Sequence, residues 1–295
     1  MRKIIAFVLY FYYYPEIKRR LNKKGVILSI YGHKPKGKSI DKVIRWLLKR
    51  GYNFITPNEI LNFKLGTLKK AKPLWLSFDD GWKSNYYELL PILKKYAIPA
   101  TIFISTKGID DGYFWFNRAF ENRKSPFFNK IDELWKMSNH ERELTIEKLP
   151  KYNGPKVAMN KTELYHLAQS EFVFIANHTH DHVICNTCNK EELEREIKKC
   201  ERKIKEFTNK GCIKVFSYPN GNYNQQTVDV LKKLKYEIAV TTNLEFIRKE
   251  TDVYQIPRNV LPDDASFYES ILQIYGLWTP FFNKIKKKLN IKSHK

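Results

Sequence analysis

The sequence predicts an α/β fold, a parallel barrel in one catalytic domain, and three observations predict it. Apolar stretches of strand length alternate with helical stretches along most of the chain, the rhythm of repeated β–α units. At 295 residues and 43% hydrophobic content the chain is ample for one large core. Two of the apolar runs end in clusters of Asp or His, and in such barrels the working groups sit at the carboxyl ends of the strands.

Taken in order, residues 26–31 read as the first strand. Ser39 to Arg50 reads as a helix with Ile40, Val43, Ile44, Leu47 and Leu48 as its apolar positions and Gly51 closing it. Further strands are expected at 53–56, 74–78, 101–104, 172–176, 214–217 and 237–241, with helices notably at 86–96 and 191–208. Between 110 and 160 the rhythm fails, and Phe114-Trp115-Phe116 leads into charged helical material at 129–137 and 139–148. This stretch is expected as a helical cap whose rings pack on the barrel; the alternative is a wall on which a sugar ring stacks. The domain is thus expected over 25–276 with an insertion at 110–160, between an N-terminal segment 1–24 and a basic tail 277–295.

Chemistry concentrates in two places. Leu76-Ser77-Phe78-Asp79-Asp80-Gly81 ends an apolar run in paired carboxylates. Neighbouring side chains on a strand face opposite ways, so both acids serve one site only where the strand breaks, and Gly81 permits the break. A turn or a helix cap is the plain alternative. About a hundred residues later, Asn177-His178-Thr179-His180-Asp181-His182 places three of the seven histidines within five residues after an apolar run. Histidine rarely clusters for packing, whereas two imidazoles and one carboxylate are a sufficient set for Zn²⁺ with positions left open.

With Phe216-Ser217-Tyr218-Pro219-Asn220-Gly221 as a third motif, the chain resembles the polysaccharide deacetylase family, also called the NodB homology domain or carbohydrate esterase family 4. The resemblance runs over roughly residues 25 to 262, interrupted by the insertion. It implies a distorted (β/α) barrel of the polysaccharide deacetylase type, Asp79 as general base, and Asp80, His178 and His182 as ligands of a divalent metal, Zn²⁺ first, with Co²⁺ or Ni²⁺ as alternatives. His180 falls on a free position of the motif, and Thr179 is expected to help fix the loop. Two departures stand out. The family's third motif commonly has an Arg before the Pro that orients the base, and here Arg258, in Ile256-Pro257-Arg258-Asn259, is the candidate replacement, with Asp263 and Asp264 nearby. The late His that supplies the catalytic acid is missing. In the branch resembling poly-N-acetylglucosamine deacetylases that acid follows the first strand, and His33 occupies the position here. The third motif also resembles that branch, which puts Tyr218 and Asn220 on the substrate side, with backbone N–H groups beside Tyr218 facing the oxyanion.

The formal charge is +22, and the ends carry much of it: seven basic residues and one acidic in 1–24, six lysines and no acid in 279–295. Ile4 to Tyr14 is apolar but too short to span a bilayer as a helix and has no clear cleavage site. Leu277-Trp278-Thr279-Pro280-Phe281-Phe282 runs into a lysine cluster, so both ends read as segments for an anionic membrane surface, with solvated tails as the alternative. No nucleic-acid module accompanies the charge. Cys185, Cys188, Cys200 and Cys212 lack a second C-x-x-C, so a structural zinc site is the lesser reading, and free thiols point to the cytosol. Expected from all this is a metal-dependent carbohydrate N-deacetylase acting on a surface-polysaccharide or lipid-linked precursor, cytoplasmic and peripheral at the inner membrane face. An O-deacetylase and a non-catalytic carbohydrate-binding relative are the alternatives, and no oligomeric state is specified.

Overall fold

Eight strands, all paired in parallel, form one sheet in the computed structural model, which describes residues 1–123 and 131–282. They are β1 (Leu28–Gly32), β2 (Asn53–Phe54), β3 (Pro73–Phe78), β4 (Ala100–Ile104), β5 (Val173–Asn177), β6 (Val215–Ser217), β7 (Ile238–Val240) and β8 (Asn259–Val260). The order is β7-β6-β5-β4-β3-β1-β8, and β2 pairs with the start of β3. The sheet curls until its edges meet. Ile256 N–H donates to the Ala239 carbonyl at 3.0 Å and Thr241 N–H to that of Ile256 at 2.9 Å, so the segment leading into β8 closes on β7 while β8 itself pairs with β1. The result is the distorted barrel of parallel strands that the sequence predicts.

Strand parity explains both cores. Side chains alternate across a pleat. Ile27, Trp75, Phe103, Ala176, Val215, Ile238, Val240 and Ile256 make one cluster inside the barrel. Leu28, Ile30, Leu74, Leu76, Phe78, Ala100, Ile102 and Ile104, on the other faces of the same strands, pack outward against helices Gly37–Leu48 and Lys190–Thr208. Continuous burial along β1, β3 and β4 is what a parallel sheet covered on both faces requires. The expected helix at 86–96 divides into a π turn, Asn85–Leu89, and Leu90–Tyr96. Pro91 supplies the reason, since it lacks an N–H and its ring clashes with the carbonyl four residues back.

The chain begins with helices Arg2–Tyr12 and Tyr14–Leu21. Ala6, Leu9, Tyr10 and Ile17 join the outer core, Arg2 pairs with Glu269, and Arg20 donates to the Tyr275 carbonyl. Among the described residues no helix is long and apolar enough to cross a membrane. Above the barrel, the insertion contributes helices Trp115–Glu121, Ile131–Leu134 and Asn139–Glu147. The start of the helix expected at 129–137 and the lysine cluster of the basic tail lie outside the described residues.

Candidate active site

Asp79 extends the inward face that carries Trp75 and Ser77, and its N–H donates to the Gly32 carbonyl at 3.0 Å. Asp80 then turns left-handed at φ 75° and Gly81 follows at φ 98°. The strand ends at Phe78 as expected, the break uses Gly81 and also Asp80 itself, and the second carboxylate swings to the same side as the first. His178 leaves β5 at the same level. Thr179 at φ 64° and His182 at φ 48° make the tight loop that returns His182 to it, held by the Val183 N–H on Thr179 Oγ1 at 3.1 Å. Strained backbone at three positions, all within the two motifs, is the kind that persists where surrounding bonds over-determine it.

Asp80 Oδ2 accepts from Trp82 Nε1 at 2.8 Å, leaving Oδ1 to face His178 Nε2 at 3.3 Å and His182 Nε2 at 3.4 Å. Oδ1 is buried with no hydrogen-bond donor, and the three residues form a group whose ligand atoms lie within 4.8 Å of one another. His178 Nδ1 lies 2.8 Å from the Ser217 carbonyl, which fixes the tautomer with the proton there and leaves Nε2 as a lone-pair donor. Burial, opposed by the Asp80 charge, lowers His182 to about 3, so its imidazole is neutral. An orphaned buried carboxylate oxygen beside two imidazole Nε2 atoms fits a divalent cation of the Zn²⁺ class. The expected result of a metal titration is therefore loss of stoichiometric binding in His178→Ala and in His182→Ala, with binding kept in His180→Ala. His180 points elsewhere: its Nδ1 bonds Thr106 Oγ1 at 2.8 Å, and burial together with the Lys199 and Lys107 charges lowers it to about 4. Equal losses in all three variants would mean a different pair of imidazoles.

Asp79 has a different environment. Arg258, fully buried, reaches it with both ends of its fork, Nη1 to Oδ1 at 2.7 Å and Nη2 to Oδ2 at 2.8 Å. The guanidinium is held in turn by Ser77 Oγ, Ser217 Oγ and the Thr241 carbonyl, and it lies over the Tyr31 ring. Burial would raise the Asp79 pKa, but the charge and hydrogen bonds of Arg258 outweigh it and hold the carboxyl below its usual range. Arg258 is thus fully buried behind Asp79 and meets the cleft only through that carboxylate.

His33 continues the inward face of β1 after Ile27, Ser29 and Tyr31, and Gly32 pairs with Phe78, so His33 comes level with Asp79. Its N–H donates to Asp263 Oδ1 at 3.2 Å and its carbonyl accepts from Asn85 Nδ2 at 3.1 Å. Among the described residues its ring nitrogens have no hydrogen-bond partner. His33, Asp79, Asp80, His178, His182, Tyr218 and Asn220 line one cleft of about 270 Å³, walled by Trp82, Phe116, Phe120 and Trp135. The insertion's rings divide: Phe114 and Phe116 pack on Trp82 and Ala158, as a cap does, while Phe116, Phe120 and Trp135 line the cleft.

Tyr218 sits differently from the expectation that N–H groups beside it face an oxyanion. Its own N–H donates to the Val240 carbonyl at 3.2 Å and its hydroxyl to that of Tyr254 at 2.9 Å. Asn220, left-handed at φ 57°, is the neighbour whose N–H has no partner among the described residues. The sequence reading missed Ser217 and Trp82. Ser217 serves three groups, through its carbonyl to His178 and its hydroxyl to Asp79 and Arg258, and a polar residue among the apolar inward positions of β6 was its signal.

A sequence profile described as Polysaccharide deacetylase matches residues 67–239. The poly-β-1,6-N-acetyl-D-glucosamine N-deacetylase of Staphylococcus aureus is 27% identical over 243 residues, 82% of this chain and 70% of that protein. A Bacillus subtilis protein named as a polysaccharide deacetylase, YxkH, is 25% identical over 223 residues; the match spans 75% of this chain and 63% of that relative's length. Among solved structures, IcaB from Ammonifex degensii superposes with a TM-score of 0.61 at 16% identity, covering 86% of this chain and 99% of that one. The Streptococcus pyogenes deacetylase PplD gives 0.60 at 20% identity, covering 85% and 97%. These structural likenesses speak to the fold.

Proposed function

Because the chain belongs to the polysaccharide deacetylase family, we propose that it is a metal-dependent hydrolase that removes N-acetyl groups from a carbohydrate, with a surface polysaccharide or lipid-linked glycan precursor as the substrate class. The observation that carries this reading is the bidentate Arg258–Asp79 pair beside the Asp80, His178 and His182 group in one cleft. A cation held by those three residues would supply Lewis acidity toward the amide carbonyl and lower the pKa of water. The protein's own groups do the rest. Asp79, kept ionised by Arg258, accepts the proton of the attacking water at a carboxylate oxygen. His33, on the neighbouring strand and free at its ring, gives a proton to the leaving amine nitrogen. The Asn220 N–H is the backbone donor available to the developing oxyanion. Phe120 and Trp135 offer ring faces to a pyranose.

The choice of N-acetylglucosamine polymer is supported by the name of the Staphylococcus aureus relative and by the early position of His33. Placement in the cytoplasm, peripheral to the inner membrane face, is supported by the free thiols of Cys185, Cys188, Cys200 and Cys212. The direct test is acetate release from N-acetylated and O-acetylated oligosaccharides after chelation and after Zn²⁺, Co²⁺ or Ni²⁺ is restored. Release only from O-acetyl groups would make the protein an O-deacetylase, and none from either, at full metal loading, a binding relative. The role of His33 has its own signature. His33→Ala should depress hydrolysis of an amide by about 10² or more while sparing an activated ester, whose leaving group needs no proton. Equal losses on both substrates would assign His33 to structure.

A further inference from the structure

The helix Arg2–Tyr12 is amphipathic in an unusual way: it is apolar on both sides. One side, Ala6, Leu9 and Tyr10, is buried in the outer core. The other presents Ile4, Phe7, Val8, Phe11 and Tyr12 to solvent, with Ile4 68% and Val8 58% exposed. Together with Met1 these make up six of the twelve large apolar side chains exposed among the described residues, so half of that surface is gathered on one helix. A contiguous apolar face of this kind marks a surface of interaction.

We propose that this face inserts into the interface of an anionic lipid bilayer, with the helix lying in the plane of the membrane. Charge decides the occupant. Lys3 lies on this helix and Lys18, Arg19 and Arg20 on the next one, and although Arg2 pairs with Glu269 and Arg19 with Glu16, residues 1–24 hold seven basic residues against Glu16 alone. A second copy of the chain would bring two such basic surfaces together, at a cost of like-charge repulsion, whereas acidic headgroups complement the rim while acyl chains receive the rings. The length excludes a span and suits in-plane burial. The helix is also tied to an element that leads away from the cleft. Arg2 pairs with Glu269 on helix Phe267–Ile274, which follows the turn whose Asp263 holds the His33 N–H. Docking would hold the protein at the surface where a lipid-linked or emerging glycan lies. That last step rests on the catalytic reading, but the docking itself does not.

The expectation from charge alone was electrostatic adhesion; the exposed apolar face changes the predicted salt response. The intact protein should float with vesicles of mixed neutral and acidic phospholipid, and a substantial bound fraction should persist at about 0.5 M NaCl, where exposed charges are screened within a few ångströms. Ile4→Ser, Val8→Ser and Phe11→Ser combined should lower vesicle partitioning by roughly 30-fold or more, since each loses most of its apolar transfer. These side chains are more than half exposed, and although Phe11 touches Tyr10 and Tyr268 the thermal midpoint should change little, with hydrolysis of a small soluble substrate unchanged. Deleting residues 1–24 is the poorer test, because it also removes Ala6, Leu9, Tyr10 and Ile17 from the core. Complete release by salt would leave an electrostatic tether and overturn insertion. Sedimentation showing a dimer that the triple variant abolishes would assign the face to a second copy, and no flotation at any salt would also overturn the proposal. Because flotation is read without turnover, an inactive but vesicle-bound protein would sink the deacetylase reading and keep this one.

Discussion

Asp79→Asn should keep its metal and lose turnover by about 10² to 10⁴-fold, the range a positioned general base contributes. The amide fills the same space and still accepts from Arg258, yet it cannot take a proton from water. It also leaves the Arg258 charge without its counter-ion at a fully buried site, which should cost about 3 to 5 kcal/mol of stability. Turnover is therefore compared per folded, metal-loaded molecule, with metal content read by mass spectrometry. A variant that folds but has lost its metal would exchange the roles of Asp79 and Asp80.

Arg258→Met should be nearly as damaging by the opposite route. It strands the Asp79 carboxylate in the interior with burial alone acting on it, so stability should fall by about 3 to 5 kcal/mol and the Asp79 pKa should rise. The sign with pH follows from the depressed carboxyl of the intact pair. Its contribution is fully present above the unfolded value of about 3.9 and disappears as pH falls through the lower folded value. Denaturant midpoints of the intact protein and Arg258→Met should therefore differ most near neutrality and converge in acid. The acidic limb of kcat/KM should move to higher pH in Arg258→Met, and Arg258→Lys should recover part of it, because lysine restores charge without the fork. Midpoint differences that stay constant from neutral to acid pH would show that the pair is not what depresses Asp79.

The sequence made the barrel legible because each long strand announces itself by continuous apolar content, and a histidine cluster because three imidazoles in five residues are too many for packing; the choice of Asp80, His178 and His182 among them came from the resemblance. His33 was named only through the resemblance, because the late His is missing and that branch carries its acid after the first strand; the structure adds that it keeps the parity of Ile27, Ser29 and Tyr31. What stayed hidden depended on short or irregular backbone. Strand β8 is two residues long and carries no periodicity, so Arg258 could be named as a candidate but not placed. The partner of the Tyr218 N–H lies on β7 and is a matter of register, which no local pattern encodes. The end of β3 at Phe78 and the freedom of Gly81 were legible, but not that Asp80 would also turn left-handed, because a left-handed Asp is far less common than a left-handed Gly. The two-sided helix at the start of the chain read as a plain apolar run, since a sequence does not say which of two apolar faces will find the core.

The seam where β8 meets β1 has a consequence for the order in which the molecule becomes competent. The groups suited to metal come from β3 and β5, elements translated early, whereas the partner of the base arrives on one of the last strands. A nascent chain released to residue 250, or one clipped before Ile256, would hold the Asp80, His178 and His182 set while β1 and β7 remained open edges and Asp79 lacked its guanidinium. Such a chain could take up metal without gaining the ionised base. The carboxyl-terminal seam is in this sense a latch on synthesis: on the proposed reading, the guanidinium that would keep Asp79 ionised arrives only with the segment that closes the barrel.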